Sequence, residues 1–154
     1  MRNAILVGLI QAAVLLSITG KFLYDRERLP RVWVKVAPVD PNHLLRGRYV
    51  RFHVFVEPAN LEATLMVHVR LSVEGERLKV YRNDSSPLNI VPAGKEFRLN
   101  EPLAFYIPEH IPDPSRRPAG EELWVEATIP PKGPPRPLRL GIKKDGVLTP
   151  LVTR

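Results

Sequence analysis

Cysteine is absent from the 154 residues, which excludes a disulfide framework and any thiolate metal site. Amphipathic helix is missing as well: beyond the N-terminal segment no apolar run recurs at a 3.6-residue spacing. Internal repeats are lacking, and the one biased tract is the proline-rich stretch 130–137. Charge of one sign is not lacking. The net charge is +7, but basic residues alternate with acids through the middle and no nucleic-acid recognition motif is present, so nucleic acid is not an expected partner.

Proline is abundant, with 17 residues, about twice an ordinary usage of roughly 5%. That density works against long helices and favours short strands joined by rigid turns. The chain is long enough for one domain with a real core and too short for two.

Its single long apolar run opens the sequence. MRNAILVGLIQAAVLLSITGKFLYDRER is apolar from Ala4 to Ile18, interrupted by Gly8, Gln11 and Ser17. Counted to Leu23 it makes a helix of about 20 residues and about 30 Å, the thickness of a bilayer core. Lys21 can snorkel, and Phe22, Tyr24 and Trp33 suit an interfacial belt. The expected division is an anchor at 1–24, a basic juxtamembrane linker at 25–31 and a β domain at 32–154. A signal peptide cut near Ser17-Ile18-Thr19 and a buried core helix are the other two readings. Lys21, Arg26, Arg28 and Arg31 would face anionic headgroups, so the lipid bilayer is an expected partner.

After Pro30 the pattern has period two. Val32, Val34 and Val36 share one face of the first strand; Val50, Phe52, Val54 and Val56 share one face of the second. Leu65, Val67, Val69, Leu71 and Val73 follow. Gly75-Glu76 reads as a two-residue turn that pairs Glu74 with Arg77, Val73 with Leu78, Ser72 with Lys79 and Arg70 with Tyr81. Weaker strands are expected at 96–99, 103–107, 122–129 and 138–142, with a last hairpin turn at Lys143-Lys144-Asp145-Gly146. The fold class is all-β, a single sandwich or partly closed barrel behind one transmembrane helix.

Between the first two strands, Asp40 is a good N-cap ahead of Pro41, and Val39 and Leu44 have the spacing of a hydrophobic staple. Arg46 suits the C-terminal end and Gly47 a left-handed close, so one or two helical turns are expected over Pro41–Arg46. Val39-Asp40-Pro41-Asn42-His43-Leu44-Leu45-Arg46-Gly47-Arg48-Tyr49-Val50, together with Phe105-Tyr106-Ile107-Pro108-Glu109, resembles the GDYXXLXY family of bacterial membrane-associated proteins. Gly47 and Tyr49 match the naming motif. Arg48, Phe52 and Val54 stand where that family has aspartate, leucine and tyrosine. The resemblance implies an inner-membrane protein with an extracytoplasmic, periplasmic domain that accompanies integral membrane proteins, and it supplies no catalytic residues. Counting positive charge favours the opposite orientation, with Arg2 on one side and four cations on the other.

The expected contact surface for a membrane protein partner is Trp33, Arg46, Arg48, Tyr49, Arg51, Phe55, Tyr81 and Trp124, because aromatics mixed with arginine characterise interface cores. No cofactor, metal or catalytic residue is expected. A symmetric turn about Asn60-Leu61 would set His53 opposite His68 and Arg51 opposite Arg70, the latter a hint of an acidic partner. Glu109, His110 and Asp113 cluster in a loop. A Ser72–Lys79 hydrolase and a soluble binder of an anionic polymer are the alternatives from other classes.

Overall fold

The computed structural model describes residues 2–39, 49–59, 66–108, 113–114 and 116–151. Asp40, Pro41, Leu44, Arg46, Gly47 and Arg48 of the expected helical corner, and Glu109 and His110, lie outside the described residues. Helix α1 spans Arg2–Arg28. Among the described residues ten strands follow: β1 Arg31–Val39, β2 Tyr49–Pro58, β3 Val67–Glu74, β4 Arg77–Arg82, β5 Asn89–Ala93, β6 Glu96–Leu99, β7 Leu103–Tyr106, β8 Glu122–Thr128, β9 Arg136–Lys144 and β10 Val147–Pro150.

The domain is all-β, and β2 organises it. Its N-terminal half bonds to β1 on one edge, pairing Val54 with Val36 and Arg51 with Val39, and to β7 on the other, pairing Tyr49 with Tyr106. Its C-terminal end changes partners, meeting β6 through Phe55 and Arg98 and running parallel to β4 through Glu57 and Lys79. One arm of sheet then extends through β1, β8, β9 and β10. The other arm runs β2, β4, β3, β5, β6 and returns to β2, a closed circuit of five strands. Closure on one side and an open sheet on the other is the partly closed barrel that the alternating pattern implies.

The alternation fills one continuous core. Val32, Val34 and Val36 of β1, and Val50, Phe52, Val54 and Val56 of β2, are buried, and Val69, Val80, Ile90, Val125 and Leu140 complete it from five further strands. The Gly75-Glu76 hairpin has every expected pair, including Ser72 with Lys79 and Arg70 with Tyr81. Gly75 sits at φ 60°, as the first central position of such a turn requires. Asp145 and Gly146 both take positive φ in the last hairpin, the pattern of a type I′ turn.

One strand has no counterpart among those expected, and one expected pairing fails. Strand β5 carries two prolines' worth of interruption nearby (Pro87 and Pro92), so its short alternation is hidden, yet it pairs with both β3 and β6. The β2–β3 hairpin does not form: β4 occupies the place beside β2, and β3 lies beyond it. His53 therefore pairs with Ala37 and His68 with Asn89, while Arg51 meets Val39 and Ala104 rather than Arg70.

Helix α1 is apolar on every side, and residues 5–24 are exposed. It is long and apolar enough over Ile5–Arg28 to cross a membrane. Only Leu29 and Pro30 separate it from β1, so the basic segment at 25–31 is mostly the last helical turn. The junction is clamped. Arg136 of β9 reaches Asp25 at 3.1 Å and lies 5.2 Å above the Phe22 ring, Arg31 donates to the carbonyl of Arg26, and Ile129 donates to that of Pro30.

Because Phe52 is 1% exposed and sits on β2 between β1 and β7, Phe52→Ala should destabilise the domain by about 3–5 kcal/mol. Urea unfolding of the full chain in detergent micelles, followed by tryptophan emission, measures this.

Candidate partner-binding groove

The outward positions of β1, β2 and β8 carry the aromatics that break the polar alternation. Trp33 and Lys35 face out from β1, Phe55 from β2, and Glu122 and Trp124 from β8, where Lys35 pairs with Trp124. A groove of about 1010 Å³ opens over them, and the turns at Gly75-Glu76, Lys95 and Gly146 form its rim. Phe97 and Leu148 add apolar wall.

Each ring is seated by a specific neighbour. Trp33 lies across Gly141 of β9; a Cβ at that position would stand 2.8 Å from Trp33 Cζ3. The Arg139 guanidinium covers the same ring at 5.5 Å and is itself paired with Glu126. Trp124 donates its indole N–H to Glu122 Oε2 at 3.2 Å, with Lys143 Nζ 4.6 Å above the ring. Lys35 reaches Glu122 at 3.1 Å and Glu96 at 3.8 Å, and lies 5.7 Å from the Phe55 centroid. Such cation–aromatic contacts contribute about 0.5–1 kcal/mol each at exposed sites, enough to orient rings without burying them.

The charges are held ionised. The Glu122 hydrogen bond raises the Lys35 pKa above its usual range against the effect of burial. Burial pushes Glu122 up, but hydrogen bonds from Lys35 and Trp124, with the Lys35 and Lys143 charges, leave it below the usual carboxylate value.

Of the expected contact residues, Trp33, Phe55 and Trp124 come together in this groove. Trp33 rests against Gly141 of β9. Tyr49 and Arg51 lie further along β2, where the Tyr49 ring is 6.0 Å from that of Tyr106. Tyr81 is elsewhere: it donates to Glu74 and stacks beneath Arg70 at 5.7 Å. Lys35, Lys143, Arg139 and Phe97 were not legible as site residues. Their role depends on strand order, although a glycine at 141 in an apolar strand is a signal of close approach.

Ser72 and Lys79 are cross-strand partners, yet Lys79 Nζ binds Glu74 at 2.8 Å. That hydrogen bond raises the lysine pKa, the reverse of what a lysine base needs. No group of three His, Asp or Glu residues placed to hold a metal occurs among the described residues. His68 donates Nδ1–H to the Ser86 carbonyl at 2.8 Å. His53 differs: its Nδ1 is buried with no hydrogen-bond partner, and burial, then the Arg98 and Arg51 charges, lower its pKa from 6.5 despite a hydrogen bond with the Leu99 backbone.

Comparison with protein-family models, with curated proteins and with solved structures finds no match to this chain.

Two outcomes follow from this geometry. Gly141→Ala should cost about 1–3 kcal/mol by overpacking and alter tryptophan emission as the Trp33 ring is displaced, read by urea unfolding and fluorescence. His53 binds fewer protons folded than unfolded just below pH 6.5, so stability should fall as pH drops through that window and level off above it. His53→Gln should flatten the change in urea midpoint between about pH 7.5 and 5.5, a range above the carboxylate titrations.

Proposed function

We propose that this chain is a single-pass protein of the bacterial inner membrane whose non-catalytic β domain stands on the periplasmic side and binds an integral membrane protein. Grouping it with the GDYXXLXY family is part of the proposal, on the residues quoted above. The observation that carries it is the position of the aromatic groove at the end of a short, clamped junction. From Leu23 to Arg28 the helix rises about 8 Å, and the extended path onward to Trp33 adds at most about 17 Å. The groove therefore begins within roughly 25 Å of the bilayer core, within reach of the extramembrane parts of a neighbouring membrane protein.

Binding rather than chemistry is supported by the groove's contents. Half-buried tryptophans beside paired cations and carboxylates match the composition of interface cores. Lys79, the candidate base, is held protonated by Glu74. An apolar helix whose residues 5–24 are exposed among the described residues accounts for the anchor.

Orientation is tested by alkaline phosphatase fused after residue 154: activity is expected, and an inactive fusion with a fluorescent green fluorescent protein counterpart would place the domain in the cytoplasm. For the binding reading, in-membrane cross-linking followed by mild-detergent purification should give a discrete heteromeric species. Trp33→Ala with Trp124→Ala should reduce that species about tenfold or more at unchanged expression. A purely monomeric chain, or a yield indifferent to both substitutions, would contradict the reading.

A further inference from the structure

Beyond the groove's rim, the same outer face carries an unneutralised basic cluster. Arg51 and His53 alternate outward on β2, and Arg98 projects from β6 opposite Phe55. Both guanidinium groups act on the His53 ring. Elsewhere on this side Lys35 is matched by Glu96 and Glu122, Arg77 by Glu57 and Arg139 by Glu126, while Lys95 and Lys143 stand singly at the groove and not in a cluster. Arg51 and Arg98 form no ion pair among the described residues, and the buried Nδ1 of His53 has no hydrogen-bond partner. Two guanidinium groups flanking one imidazole, with no anion paired to them among the described residues, leave positive charge uncompensated, and a carboxylate placed among them would offset it and accept forked hydrogen bonds.

We infer that the Arg51–His53–Arg98 cluster receives a carboxylate from an acidic, apolar polypeptide segment whose neighbouring side chains occupy the Trp33–Trp124 groove. This rests on the reading of that groove as the partner site. Phe55 is the bridge: it is the cross-strand neighbour of Arg98 and forms part of the groove wall. An extended segment spanning both would place alternate side chains in the two subsites. Polypeptide is favoured over lipid headgroups by position along β1. The helix enters β1 at Arg31, whereas His53 and Arg51 pair with Ala37 and Val39 at its other end. Six to eight residues of strand span roughly 20–26 Å, more than twice a Debye length of about 8 Å. At the helix end, Arg136 already has Asp25.

The test uses the full chain in phosphatidylcholine nanodiscs and a labelled, capped peptide of alternating leucine and glutamate, with its leucine–glutamine counterpart, read by fluorescence anisotropy. The glutamate peptide should bind at least about tenfold more tightly, the equivalent of one charge-assisted hydrogen bond. Arg51→Gln with Arg98→Gln should remove that preference and leave the glutamine peptide's affinity unchanged, while Lys132→Gln alters neither. Equal binding of the two peptides, both weakened by Trp33→Ala, would overturn the carboxylate site and leave the groove standing. Binding of neither peptide would remove both. An equal loss with Lys132→Gln would overturn the inference in favour of diffuse charge. Phosphatidylglycerol nanodiscs that abolish peptide binding and shift the His53 ring resonances would overturn it in favour of lipid.

Discussion

Along β2 the backbone hydrogen bonds change hands. The first half is held by β1 and β7, the last few residues by β4 and β6, and among the described residues no other strand has four partners. A buried strand cannot leave its donors and acceptors unpaired, so this exchange fixes where the open arm ends and the five-stranded circuit begins. It also fixes the side chains. Alternation along one strand puts Val50, Phe52, Val54 and Val56 into the common core, and sends Arg51, His53 and Phe55 outward in a row.

That outward row is where composition departs from an ordinary solvated sheet. Phe55 lies on it, and beside it Trp33 of β1 and Trp124 of β8 are supported from β9 by a glycine, an arginine and a lysine. The cover comes from long basic stems that pack across aromatic faces while their charged ends remain wet. The proline-rich stretch 130–137 forms no part of the groove wall. A face built this way is ordered before any partner arrives, which lowers the conformational cost of binding.

The clamp at the helix end serves the same purpose on a larger scale. Two residues and one arginine bridge separate the apolar rod from the sheet. The free volume open to the domain is thereby small, and under the proposed function a partner in the same membrane would meet the groove at a high effective concentration.

Local patterns carried much of this. The strands β1 to β4, the hairpin at Gly75, the turn at Asp145-Gly146 and the apolar helix all follow from neighbours within about ten residues, where periodicity and turn chemistry act directly. Trp33, Phe55 and Trp124 were recognisable because each is a large ring on a face that should be polar. Strand order was another matter. Which edge of β2 receives β4 rather than β3 depends on backbone pairing between segments twenty or more residues apart, and nothing in either segment's alternation distinguishes the choices. So the His53–His68 pairing failed, and the company of Arg51, His53 and Arg98 came into view only once β6 was seen to close the circuit: side-chain period is written locally, but adjacency between distant strands is settled by the whole chain burying one core.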